Sequence, residues 1–232
     1  MAVPILLYHH IDEPPPSGTP SRSNYVSPKN FAKQMAWLNR LGIKGLSLKD
    51  AMPYILEQKK GRIAVITFDD GFLSVFENAM PILNQHGFTA TNYFVADEIA
   101  GQNNWDNPKA KRAACMDIGQ VKQWLSHGHE VGSHTLTHPH LSQLSSDMAF
   151  TEINQSKQNL ETALNIKLSS FAYPYGDEND EIRHIVQQAG YSNAVTTRRG
   201  RAKSQDNAFE LPRHSVRRND SAFHFLLKCL IR

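Results

Sequence analysis

A chain of 232 residues, 40% of them apolar, is long enough for one domain with a substantial core. Its formal charge of +3 is too small, and its basic residues too scattered, to mark a nucleic-acid binder. No run of about 18 apolar residues offers a membrane span, and Cys115 and Cys229 form neither a disulfide framework nor a zinc-thiolate spacing.

Residues 3–8 form a first apolar, β-rich run that ends in His9 and His10. The opening MAVPILLYHH has no basic n-region and enters a strand at once. That predicts either a cytoplasmic protein or an extracytoplasmic one whose leader is absent from this sequence. The segment EPPPSGTPSRS reads as a surface loop. Ser27-Pro28 starts a helix in which Phe31, Met35, Leu38 and Leu41 recur at helical spacing until Gly42. A short strand at 43–46 leads to SLKD, which resembles a capping box for a helix at 48–59. The run RIAVITFDDG, Arg62 to Gly71, is a strand buried on both faces that ends in two adjacent carboxylates. A helix at 75–86 carries Pro81 as an internal breaker, and 88–95 is the next strand.

Residues 96–116 form a long irregular insertion holding Trp105, a loop length usually associated with function. Asp117 caps a helix that runs to His127, and a strand at 129–133 leads into the histidine cluster GSHTLTHPH. The longest helix spans 145–165, with Met148, Ile153, Leu160 and Leu164 expected to face inward. A strand at 168–173, the loop PYGDEND, a helix at 180–189 and a strand near 192–196 follow. A last strand near 209–214 and an amphipathic helix at 221–230 complete the chain. Strands alternating with helices throughout predict a single α/β domain over residues 1–232, built as a parallel barrel.

A carboxylate at the end of a buried strand is costly unless it is hydrogen-bonded, paired or bound to a metal. In parallel barrels that end of the strand is also where active sites lie. Asp69 and Asp70 sit there. His134 and His138 are separated by three residues, and Pro139 disfavours helical backbone at His138, so the pair belongs to a loop after a strand. A barrel brings such strand ends to one rim. One carboxylate with two imidazoles is a ligand set for zinc or a similar divalent ion, and the neighbouring carboxylate is left as a general base.

TFDDG (Thr67 to Gly71), HTLTH (His134 to His138) and YPYG (Tyr173 to Gly176) resemble, in order and spacing, three motifs of the polysaccharide deacetylases with a NodB-homology domain, carbohydrate esterase family four. YHHI, FAKQMAWLNRLGI and AGYSNAV extend the resemblance over nearly the whole chain. It implies a distorted (β/α) barrel of seven or eight parallel strands and removal of N-acetyl groups from a polysaccharide, oligosaccharide or glycolipid. It implies Asp69 as catalytic base, and Asp70, His134 and His138 as ligands of one divalent ion, zinc before cobalt or nickel. It also implies the Tyr175 backbone N–H as a donor to the oxyanion. The expected partner is an N-acetylated carbohydrate, with no nucleic acid, membrane segment or obligate protein partner.

The sequence departs from that family at three places. Ala172 stands where an arginine usually orients the catalytic aspartate, no tryptophan-containing fourth motif lies near 196–210, and Leu211-Pro212-Arg213-His214 is one residue longer than the usual Leu-x-His. The last two stretches look more like the branch acting on poly-N-acetylglucosamine. His214 is the first candidate for general acid, with His9 and His10 as alternatives and as substrate contacts; Trp105 is a candidate sugar platform. Arg213 is expected to replace the missing arginine by reaching Asp69 within roughly 2.7–3.2 Å. The competing readings are hydrolysis of another amide or C–N bond on the same scaffold, and a carbohydrate-binding pseudoenzyme.

Overall fold

A computed structural model describes residues 2–230. The elements run β1 (Val3–Tyr8), β2 (His10–Ile11), β3 (Tyr25–Val26), α1 (Pro28–Arg40), β4 (Lys44–Leu46), α2 (Leu48–Ile55) and β5 (Ile63–Phe68). A π-helical turn (Val75–Ala79) leads into α3 (Met80–Gln85), followed by β6 (Thr91–Phe94), α4 (Ile118–Ser126), β7 (Glu130–Ser133), α5 (Ser146–Leu164) and β8 (Ser170–Ala172). Then come α6 (Asp180–Gln188), β9 (Asn193–Val195), β10 (Arg201–Ala202), β11 (His214–Ser215) and α7 (Ala222–Leu230).

Six strands pair in parallel in the order β1-β5-β6-β7-β8-β9. The sheet curls until Leu211 bridges Val195 on one side while β11 pairs in parallel with β1 on the other. The result is the distorted (β/α) barrel that the alternation of elements predicts. β4 pairs with the lower half of β5, Lys44 opposite Ile63, and β10 adds an antiparallel strand beside β1. No helix among the described residues is long and apolar enough to cross a membrane.

β5 shows how the sequence builds two cores at once. Its residues IAVITF are all buried, because alternate side chains point to opposite faces of a covered sheet. Ala64, Ile66 and Phe68 pack outward in the large cluster with the helices. Val65 points inward with Ile5, Tyr93, Ala172 and Val195. The same parity carries Asp69 inward at the strand's end, and it also separates His9 from His10 and Arg213 from His214 below.

Several expectations are corrected. Pro81 does not kink a continuous helix: it sits in the first turn of α3, after the π-helical turn, where its missing N–H breaks no bond. α2 stops at Ile55 rather than near 59, and the expected strand at 209–214 is reduced to the Leu211 bridge and β11. Met148 is 58% exposed; it lies in the first turn of α5 and only Ile153, Leu160 and Leu164 of the expected stripe are buried.

Candidate active site and metal centre

The site gathers at the C-terminal ends of β5, β7 and β8, and of the residues after β1. Asp69 lies at the end of β5, where its backbone N–H donates to Tyr8 O at 3.0 Å. Its carboxylate faces the interior and is 2% exposed. Arg213 meets it with two bonds, Nη1 to Oδ1 and Nη2 to Oδ2, both 2.7 Å. The guanidinium is fixed in turn by Nε donating to Thr196 O at 2.8 Å and Nη1 to Thr67 Oγ1 at 3.1 Å. It lies over the Tyr93 ring at 5.8 Å. Arg213 is 0% exposed. Thus the cation absent at Ala172 reaches Asp69 from the segment that closes the barrel between β9 and β1. Burial pushes the Asp69 carboxyl up, but Arg213 and the nearby His134 outweigh it and hold its pKa at about 2.

Asp70 takes the other solution. Its backbone turns to φ 79° and that of Gly71 to φ 67°; a Cβ on Gly71 would fall 2.5 Å from Phe94 Cδ1, so that turn requires glycine. The Asp70 carboxylate is thereby aimed at the histidines, its Oδ1 3.5 Å from Nε2 of both His134 and His138. Oδ1 is buried without a hydrogen-bond partner. Burial, and then the charges of Asp69 and Asp106, push this carboxyl well above its ordinary value.

The His134 ring is held by β8, and His138 is placed by the turn that carries it. His134 Nδ1 lies 2.7 Å from Ala172 O; because a carbonyl only accepts, Nδ1 carries the proton and Nε2 is left as the lone-pair donor. Thr135 and His138 have φ of 70° and 64°, conformations rarely used by side-chain-bearing residues. The turn is tied by His138 N donating to Thr135 Oγ1 at 3.0 Å. From α5, Glu152 accepts from Leu136 N at 2.9 Å, Thr137 N at 3.0 Å and Thr137 Oγ1 at 2.8 Å. Burial above all keeps both rings neutral, His138 most strongly.

These three ligand atoms lie within 4.8 Å of one another. Around a tetrahedral ion with bonds of ~2.0–2.1 Å, donors stand about 3.3 Å apart, close to the 3.5 Å between Asp70 and each imidazole. An orphaned carboxylate oxygen facing two neutral imidazoles is the donor chemistry of a divalent cation. The residues fit the ion.

The remaining candidates divide. His9 follows β1 on the inward parity of Ile5 and lies close enough for Asp69, Arg213 and His134 to act on it electrostatically; burial above all lowers its pKa to about 4. His10 points the other way, stacked between Tyr25 at 4.0 Å and Phe72 at 3.7 Å, which is a packing role. His214 is also turned away. It pairs with Leu6, a residue of the outer core, and lines a cleft beside Asp220, His224 and Lys228 of the α7 region. Arg213 faces in, so its neighbour on the strand faces out; the first choice of general acid is corrected on that ground. Tyr175 has φ 60°. Its N–H takes no part in the bonds closing its turn, Gly176 N to Tyr173 O and Asp177 N to Pro174 O, both 2.9 Å. Its ring stacks on His140 at 4.0 Å and meets His138 edge-on at 4.6 Å. Trp105 lies against the other side of the site, stacked on His138 at 5.1 Å and tilted on Phe72 at 6.2 Å.

A sequence profile described as polysaccharide deacetylase matches residues 57–194, more than half the chain. The protein belongs to the polysaccharide deacetylase family. Like other members of that family it is an enzyme, a hydrolase of acetylated carbohydrate. The deacetylase is 27% identical over 213 residues to the poly-β-1,6-N-acetyl-D-glucosamine N-deacetylase of Staphylococcus aureus, covering 88% of this chain and 72% of that protein. It is 29% identical over 217 residues to YxkH of Bacillus subtilis, which carries a provisional polysaccharide deacetylase name, covering 93% and 71%. Among solved structures, the Streptococcus pyogenes deacetylase PplD in complex with acetate superposes with a TM-score of 0.86 at 27% identity, covering 99% of this chain and 98% of that one.

Sequence reading missed Glu152, which clamps the histidine turn, and Asp106, which acts on the Asp70 carboxyl. Glu152 gave no signal, being one of three acidic residues, with Asp147 and Glu161, on an amphipathic helix. Asp106 is adjacent to Trp105 in an insertion already singled out, and that adjacency was the available clue.

Proposed function

We propose that residues 1–232 form the catalytic domain of a metal-dependent N-deacetylase acting on polysaccharide that contains N-acetylglucosamine. The observation that supports it is the pair of adjacent buried carboxylates, one neutralised by Arg213 and the other orphaned between two neutral imidazoles. Asp70, His134 and His138 hold the ion in this reading. A bound divalent cation supplies Lewis acidity, polarising the acyl carbonyl and acidifying water enough for so weak a base as Asp69.

Asp69 is the proton acceptor. It is ionised wherever the histidines are neutral, and the Arg213 fork fixes the direction of its lone pairs. It takes a proton from the water that attacks the acyl carbon. The Tyr175 N–H, unused by its own turn, donates to the oxygen on which negative charge develops. His9, on the same inner face, replaces His214 as the acid. Neutral in the resting site, it gains proton affinity as that negative charge grows, takes up the proton that Asp69 removed from water, and passes it to the departing nitrogen, so that both groups return to their starting states. Breaking the C–N bond then leaves acetate and a free amine on the sugar.

The test is acetate release from a panel of N-acetylglucosamine oligomers by protein stripped of metal and reloaded with zinc, cobalt or nickel. Release that follows metal content is expected. No release from any oligomer at full metal loading overturns the reading.

A further inference from the structure

The insertion between β6 and α4 is built around a buried asparagine. Asn103 is 0% exposed. Its Nδ2 donates to Asp106 Oδ2 at 2.7 Å and Lys111 O at 3.1 Å, and its Oδ1 accepts from Ala113 N at 2.8 Å. Bridges from Gln102 to Ala114 and from Phe72 to Cys115 close the base of the loop. The loop is therefore a rigid mount, and what it presents beside His138 is Trp105 followed by Asp106.

Asp106 is half-buried and has no ion-pair partner among the described residues. Of the cations of its loop, Lys111 pairs with Asp12 at 2.9 Å, Arg112 donates to Asn103 O at 2.7 Å, and the exposed Lys109 makes no ion pair with Asp106. Asp69 has its guanidinium and Asp70 its metal ligation; Asp106 has neither. One carboxylate oxygen is held by Asn103, leaving the other for a ligand. A fixed carboxylate beside an indole is the chemistry that recognises an amino sugar: the ring stacks, and the ammonium pairs with the charge.

We propose that Trp105 and Asp106 form a subsite for a sugar ring already carrying a free amine, so that the preferred substrate is a partly deacetylated chain. Since each turnover creates such an amine, the enzyme binds its own product ring and acts on a unit beside it, giving blocks of free amines. The origin of the amine rests on the deacetylase reading above. The influence of Asp106 on its surroundings agrees with its place at the mouth. After burial, its charge and that of Asp70 push the Tyr175 hydroxyl up, and after burial and Asp12 it helps push Tyr25 to about 12.

The test compares N-acetylglucosamine pentamers with none or one of their acetyl groups removed at a defined unit. Metal-loaded wild type should show kcat/KM about fivefold higher on the best mixed pentamer, the upper range of what a partly solvated ion pair supplies. D106N, which keeps the acceptor for Asn103, should bring that ratio to about one, and W105A should lower kcat/KM on both substrates. Equal rates in wild type, or a ratio unchanged in D106N, overturn the subsite. Binding of fully deacetylated glucosamine pentamer to metal-free protein, by calorimetry, decides it separately from turnover. Tighter binding to wild type than to D106N supports the subsite even if no oligomer releases acetate, an outcome that would overturn only the deacetylase reading. Equal binding to the two proteins overturns the subsite.

Discussion

Asp69 and Asp70 are chain neighbours that solve one problem in opposite ways. Both carboxylates are buried, 2% and 7% exposed. The first is charge-compensated from within the protein by Arg213, two bonds at 2.7 Å. The second faces only neutral imidazoles, and its carboxyl is pushed up by burial and by Asp69. A built-in cation yields a permanently ionised group suited to accepting a proton. A carboxylate with no protein cation beside it, facing two neutral imidazoles, has the donor chemistry to hold a divalent ion. The alternating parity of a strand end, followed by the φ of 79° at Asp70, is what separates the two.

The largest test of this contrast is Asp69→Asn. The amide cannot take up the proton, so activity should fall by about 10²–10⁴-fold while metal content measured by elemental analysis stays as in wild type. Activity near wild type would remove Asp69 as the base.

Removing the internal cation tests the compensated half directly. Arg213→Ala leaves Asp69 buried and unpaired, which should destabilise the fold by about 3–5 kcal/mol in urea denaturation. Arg213→Lys retains the charge but loses the planar fork; turnover should drop about 10- to 150-fold, the worth of one charge-assisted hydrogen bond at roughly 1.5–3 kcal/mol, with metal content unchanged.

Zinc addition tests the uncompensated half. At ~100 times its dissociation constant, an ion that binds only the folded state stabilises by about 2.7 kcal/mol. Wild type should therefore melt at a higher temperature with zinc, and His134→Ala should not respond. Equal responses would disprove the ligand set.

A buried titratable group with neither remedy gives the smallest effect. His129 is 3% exposed, stacked on Trp124 at 4.1 Å with Nε2 3.2 Å from Asn84 Oδ1. Burial first, and then His127, lower its pKa from 6.5 to about 4. A depressed base favours folding above its unfolded pKa, and that contribution is lost as pH falls through the window from 6.5 to about 4. The loss should be of order 1–3 kcal/mol. His129→Gln should flatten the pH dependence of stability in that window; an unchanged slope would assign it to other groups.

The sequence sets the alternation of strands and helices, because periods of 2 and 3.6 in apolar residues are local properties. It also determined that TFDDG and HTLTH end buried strands, and a parallel barrel brings such ends to one rim whatever the loops between them. Arg213 could be paired with Asp69 on paper because a guanidinium inside an apolar strand needs a carboxylate. Which neighbour of each pair turns inward emerges only in the folded barrel. His9 and His10, and Arg213 and His214, differ by one position, and a shift of one residue in a strand exchanges core for surface. The sequence carries no mark of that parity where a strand is only two residues long, as β11 is; the register with Leu6 and the inward Arg213 set His214 facing away from Asp69. The insertion was likewise beyond pattern reading. Its order comes from Asn103 bonding to residues 3, 8 and 10 positions away, contacts that exist only once the loop has closed.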